Sequence, residues 1–194
     1  MVGIDITTGL ALFIGMDDLS LQQFLSGDKS SFNILYNEHI SSLLAYGMGL
    51  GFEKQRLKDT VQEIFIKIYL RPQLLIGVQN IRLYLFRMLR NSYLDQKRNK
   101  SHIKVDELDD ENSFVIRISL HDDVIEEDER ICVENTIEEL LSLLTDRQRE
   151  AIFLRYMNKM EYENIAQLLD ISPHSVRKLV SRAILTMRDA IRKQ

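Results

Sequence analysis

The chain has 194 residues, of which 45% are hydrophobic and 28% charged, with a formal charge of −4; this is the make-up of a water-soluble globular protein with room for one good core or two small ones. A single cysteine, Cys132, excludes a disulfide framework and fits a reducing cytoplasm, and no apolar run approaches the roughly 18 residues of a membrane span. His39, His102, His121 and His174 lack metal-ligand spacing and there is no phosphate-binding loop, so the sequence points to no enzyme and to no cofactor.

Residues 1–18 read as a loose leader. The apolar stretch 6–15 has no basic start and no small-residue cleavage site, so it is not a signal peptide. Met16, followed by Asp17-Asp18-Leu19-Ser20-Leu21, reads as an alternative start at a capped helix.

From 19 to 100 the apolar periodicity is helical throughout. Ser31 to Leu44 gathers Phe32, Leu35, Tyr36, Ile40, Leu43 and Leu44 on one side. Gly47, Gly49 and Gly51 are expected to punctuate the gap before the next helix, Glu53 to Leu70, whose inward positions are Leu57, Val61, Ile64, Phe65 and Ile68. Arg71-Pro72 ends it, because the residue before proline is pushed out of the helical region. A third helix is predicted over Ile81 to Asn99, with Leu85, Met88, Leu89 and Leu94 inside.

Residues 101–130 lack sustained periodicity and hold two acidic runs, Asp109-Asp110-Glu111 and Glu126-Glu127-Asp128-Glu129. They read as a solvated acidic linker in which the apolar Phe114-Val115-Ile116 has the composition to dock. Helical spacing resumes from Ile131 to Leu144, with Ile137, Leu140, Leu141 and Leu144 as its apolar positions.

The segment 131–194 closes with a tri-helical pattern. Thr145 and Gln148 form a capping box, and the helix they open carries Ala151, Ile152 and Leu154 and ends near Asn158. Tyr162, Ile165, Ala166 and Leu169 mark a second helix, and Asp170-Ile171 a tight turn. Ser172 caps a third helix with Pro173 at its first position. Val176, Leu179, Val180 and Ala183 form its buried stripe, while His174, Ser175, Arg177, Lys178, Ser181 and Arg182 face outward. Two short helices, a tight turn and a third helix with a polar, basic face make a helix-turn-helix, whose third helix enters the major groove. An ordinary three-helix packing unit would explain the apolar pattern but not the basic face.

Charge is segregated along the chain. Residues 81–100 and 172–194 each carry a net +5, and residues 101–130 carry −8. The net charge alone would argue against a polyanion partner; its distribution argues for one. Two further constellations stand out. Asp59, Gln62, Glu63 and Lys67 share one polar helical face, a pattern most often only a solvated surface. On the helix from Ile81, Tyr84, Phe86 and Tyr93 interleave with Arg82, Arg87, Arg90, Lys97 and Arg98, the mixture of rings and cations used on single-stranded nucleic acid. Phe86 and Tyr93 fit a core role equally well.

Taken together, these pieces resemble the extracytoplasmic-function group of bacterial RNA polymerase sigma factors, and most of all its Bacteroidetes-type members. Asp59 to Tyr69 is similar to region 2.2 of that family. Tyr84-Leu85-Phe86-Arg87-Met88-Leu89-Arg90-Asn91, with Asp95 and Arg98, is similar to regions 2.3 and 2.4. Leu144 to Glu150 and Tyr162 to Arg188 are similar to region 4. The order and spacing match from about Leu19 to Lys193. Departures are Asp170 where the family often has glycine, Asn164 where Glu usually precedes Ile-Ala, and the absence of tryptophan.

The resemblance implies an all-α chain of two helical domains, region 2 at 19–100 and region 4 at 131–194, joined by the acidic linker 101–130. It implies a non-catalytic cytoplasmic protein that binds core RNA polymerase and promoter DNA, has an anti-sigma factor as partner and does not enter a membrane. Asp59, Gln62, Glu63 and Lys67 would meet the polymerase clamp. Asn80, Tyr84, Arg87, Arg90, Asn91, Lys97 and Arg98 would hold the −10 element, and His174, Ser175, Arg177, Lys178, Ser181 and Arg182 would read the −35 element. The rival readings are a two-domain regulator with a response-regulator-type output domain, which requires strands in the N-terminal half, and a helical adaptor that binds only protein, which leaves both +5 segments unexplained.

Overall fold

The computed structural model describes residues 16–101, 114–116 and 127–193. The leader up to residue 15 and most of the acidic linker lie outside the described residues. Among those described, all regular structure is helical and no strand occurs. The chain divides into two compact units, Met1–Gly47 with Glu53–Ile103 and Met48–Phe52 with Lys104–Gln194.

The first unit is built from α1 (Met16–Leu25), most of α2 (Ser30–Gly49), α3 (Lys54–Leu70), a 3-10 turn at Pro72–Leu75 and α4 (Ile81–Ser101). α2 opens where the Ser30 hydroxyl and N–H both donate to the Asp28 carboxylate, at 2.6 and 2.9 Å. Those bonds, the hydroxyl's first, hold the Asp28 carboxyl below the ordinary carboxylate range. Leu35, Leu43, Leu57, Val61, Ile68, Leu85, Phe86 and Leu89 fill the core, each contributing about 1.5–3 kcal/mol by leaving water. Phe86 stacks on Tyr46 with ring centroids 4.9 Å apart. Polar bonds knit α3 to α4: Arg56 Nε donates to Gln96 at 2.9 Å, and Gln96 in turn donates to Thr60 at 3.4 Å.

The glycines after Leu44 do not all punctuate as the sequence suggests. α2 runs through Gly47 and Gly49, and the chain turns only at Gly51, which takes a left-handed φ of 89°. Close packing is the reason: a Cβ on Gly47 would run into the Cδ1 of Leu57, itself 2% exposed. Gly47→Ala is therefore expected to lower the melting temperature. Overpacking costs about 1–3 kcal/mol, which outweighs the ~1 kcal/mol gained in helix propensity. An unchanged or raised melting temperature would mean that Leu57 yields.

The second unit holds α5 (Glu127–Ser142), α6 (Asp146–Ile152) with a π-helical extension at Phe153–Met157, α7 (Tyr162–Leu169) and α8 (Pro173–Ile191). α5 begins at Glu127, inside the stretch expected as linker. The Phe114-Val115-Ile116 segment does dock. Phe114 and Ile116 are buried, Phe114 lies edge-on to Phe153 at 5.5 Å, and its N–H donates to Asp146 at 3.0 Å.

Candidate functional site

On α8 the third-helix pattern is realised except at Ser175 and Leu179. Ser172 accepts the Ser175 N–H at 3.1 Å and Pro173 occupies the first turn. Val176, Val180 and Ala183 are buried and Leu179 is half-buried, and the helix packs against α6 and α7. His174, Arg177, Lys178, Ser181 and Arg182 are exposed. Ser175 is half-buried and its hydroxyl pairs with Ser172 Oγ at 2.9 Å, so it is drawn into the cap.

The helices leading to it are locally determined. Thr145 N–H donates to Gln148 Oε1 at 2.9 Å and Gln148 N–H to Thr145 Oγ1 at 3.4 Å, which closes the capping box. Asp170 sits at φ 55°, ψ 49°, so the turn between α7 and α8 is made by a left-handed aspartate in place of a glycine. The buried face of α7 is Ile165, Ala166 and Leu168, with Leu169 only half-buried.

On α4 the expected DNA-contacting residues separate into two rows. Asn80, Tyr84, Arg87, Asn91 and Arg98 follow spacings of four, three, four and seven, which puts them on one strip of the helix surface. Arg87, Asn91 and Arg98 are exposed, and Asn80 and Tyr84 half-buried. Asn80 also caps the helix, its side-chain oxygen accepting the Leu83 N–H at 2.8 Å. Arg98 pairs with Asp95 at 3.6 Å.

Arg90 and Lys97 lie one row away and are half-buried. The Arg90 guanidinium reaches the Tyr46 hydroxyl at 3.5 Å, and the Lys97 ammonium lies 5.4 Å from the Tyr93 ring. Phe86 and Tyr93, for which two roles stood open, are both core residues at 0% and 7% exposure.

On α3, Asp59, Gln62, Glu63 and Lys67 are all exposed, and Asp59 accepts from Gln55 at 3.1 Å. Sequence reading missed what accompanies them. Ile66, Tyr69 and Leu70 are exposed beside the polar residues, and Gln62 and Ile66 line a groove of about 810 Å³ between α2 and α3 together with Tyr36, Ile40, Leu44 and Phe65. The signal lay in the sequence, since three apolar residues near the end of α3 fall off its inward positions. An exposed apolar patch rimmed by polar side chains marks an interaction surface.

Among the described residues no cluster of His, Cys, Asp and Glu suits a metal ion, and no helix is long and apolar enough to cross a membrane. The described residues of the N-terminal half are helical, so the receiver domain that the response-regulator reading requires is not built there.

Comparison with known proteins bears on these surfaces. Residues 134–187 match the family model for sigma-70 region 4. The chain is 25% identical over 182 residues to the ECF RNA polymerase sigma factor SigW of Bacillus subtilis, covering 90% of this chain and 94% of that protein. It is 29% identical over 179 residues to the ECF RNA polymerase sigma-E factor of Escherichia coli K12, covering 86% and 90%. Its fold resembles that of the sigma factor RpoE from Bartonella quintana, solved with the anti-sigma factor NepR, with a TM-score of 0.57 at 22% identity over 83% of this chain and 96% of that one. The chain thus carries a match to sigma-70 region 4 at residues 134–187 and is similar along most of its length to extracytoplasmic-function sigma factors of bacterial RNA polymerase.

Proposed function

We propose that this protein directs core RNA polymerase to promoters through three surfaces, with α8 reading the −35 element, α4 holding the −10 element as it opens, and α3 meeting the polymerase clamp. The observation that carries the reading is α8: a capped helix with a buried apolar stripe and five exposed polar or basic residues on its outer side. The two +5 segments coincide with α8 and α4, where a polyanion would be met. On this reading the protein acts in the cytoplasm without catalytic residues of its own. Its domains divide at the acidic linker, the expected bounds 19–100 and 131–194 being shifted by a helix that starts at Glu127 and by residues 48–52, which pack with the second unit, and the Bacteroidetes-type assignment rests on the sequence resemblance.

Arg87, Asn91 and Arg98, with Tyr84 and Asn80, form the −10 row; Arg90 and Lys97 support it from its edge. The groove beside Gln62 suits a helical partner with apolar side chains. The likeness to a sigma factor solved with an anti-sigma factor supports an anti-sigma partner here as well.

Purified protein is expected to co-migrate with core RNA polymerase, and the complex to initiate from a promoter that core alone ignores. Failure of both would end the proposal. Within it, Arg182→Ala is expected to weaken −35 binding by ~1–3 kcal/mol if a base contact is lost, with relaxed preference at one base pair, or evenly across sequences if the contact is to phosphate. Its melting temperature should match the parent's, because Arg182 is exposed. Equal affinity of variant and parent for promoter fragments would remove Arg182 from the interface.

A further inference from the structure

Arg177 is not carried on α8 as a loose side chain. Its Nη2 donates to Glu163 Oε1 at 2.7 Å, and its guanidinium carbon lies 5.3 Å from the centre of the Tyr162 ring. Tyr162 and Glu163 are consecutive residues in the first turn of α7, so both contacts come from one short piece of backbone. The Tyr162 ring is approached in turn by Arg155, whose guanidinium carbon is 4.7 Å from its centre. Arg155 is anchored by the Met160 carbonyl at 2.7 Å and the Glu161 carboxylate at 3.2 Å.

Stability alone does not account for this arrangement. Glu163 and Arg177 keep 57% and 52% of their side-chain surface exposed, and exposed ion pairs contribute little. The arrangement has a clear geometric consequence, however. A guanidinium is a planar fork of five N–H donors. One of its nitrogens is held by Glu163 and the group lies over the Tyr162 ring, while about half of the side chain stays exposed and the fork keeps donors beyond that one bond. A fork fixed in advance loses less rotamer freedom when it binds a pair of acceptors.

We infer that Glu163 is a positioning residue for base reading: together with Tyr162 it fixes the Arg177 guanidinium on the exposed face of α8, where it recognises the adjacent acceptors O6 and N7 of a guanine in the major groove. The inference rests on the assignment of α8 as the DNA-reading helix. It assigns Glu163 a part in specificity although its own carboxylate touches no base.

The test uses the full chain bound to core polymerase and a duplex selected from a randomised pool by the parent protein, followed by every single-base variant of its upstream element. Arg177→Ala should flatten preference at one guanine position by roughly tenfold. Glu163→Ala should flatten the same position by a similar factor, with an unchanged melting temperature. Glu163→Gln, which keeps an acceptor oxygen, should restore most of the preference.

Full preference in Glu163→Ala, beside a flattened Arg177→Ala, would overturn the inference and leave the DNA-reading assignment standing. Evenly tighter binding of Glu163→Ala to all sequences would also overturn it, since Glu163 would then be competing with DNA for Arg177. Flattening accompanied by a lowered melting temperature, unrescued by Gln, would make the pair structural. If Arg177→Ala itself leaves every preference intact, the base-reading role of Arg177 falls first and the inference with it.

Discussion

Gln62→Ala combined with Glu63→Lys is expected to abolish retention by core RNA polymerase in a pull-down while leaving helicity and melting temperature unchanged. Both side chains are exposed on α3, on the side away from the buried Val61, Ile64 and Phe65. Surface substitutions of this kind usually move stability by less than about 0.5 kcal/mol. At an interface the same change removes a polar contact and reverses a charge, and an unfavourable charge juxtaposition costs several kcal/mol, on the order of a hundredfold or more in affinity. On the proposed reading the groove beside Gln62, lined by Tyr36, Ile40 and Phe65, supplies the apolar half of the surface. Retention of the double variant at parental affinity would move the clamp contact off this face. A matching loss of helicity would show instead that the two residues hold the fold.

The parts of this molecule readable from sequence are those in which a few neighbouring residues decide the outcome. Thr145 with Gln148, Ser172 with Pro173 and Asp170 at the turn each act within one helical turn, and each adopts the geometry its residue type dictates. Residues whose role depends on partners far along the chain were less readable. Gly47 resembles a helix breaker until Leu57 is seen against it. The π-helical turn at Phe153–Met157 accommodates an extra residue within an apparently ordinary helix, and Lys159 follows it at φ 52°; periodicity alone signals neither. Phe114-Val115-Ile116 reads as an apolar segment able to dock, but where it docks is set by Phe153 and Asp146.

The candidate site divides along the same line. Exposure of the α8 and α3 residues follows from the opposite, apolar stripe of each helix. The pairing of Arg177 with Glu163 and the groove beside Gln62 require tertiary structure.

Tyr84→Ala and Phe86→Ala, two residues apart on α4, are expected to fail in different ways. Phe86 is fully buried against Tyr46, and truncating a buried phenylalanine costs about 3–5 kcal/mol, a large share of the 5–15 kcal/mol that holds a typical domain together. Phe86→Ala should therefore melt early and transcribe poorly from any template. Tyr84 is half-buried, on the strip with Arg87 and Asn91 and one turn after the cap at Asn80. On the proposed reading its ring supports an unstacked base, a contact that contributes ~1–3 kcal/mol. Tyr84→Ala should keep a near-parental melting curve, transcribe slowly from a duplex promoter, and recover much of its activity on a template with a pre-melted bubble, where the cost of unstacking has already been met. The comparison separates chemistry from packing, because a core defect cannot be relieved by opening the DNA. If Tyr84→Ala melts as early as Phe86→Ala and the bubble brings no recovery, Tyr84 belongs to the core, and the opening of the −10 element must depend on the cations of α4 alone.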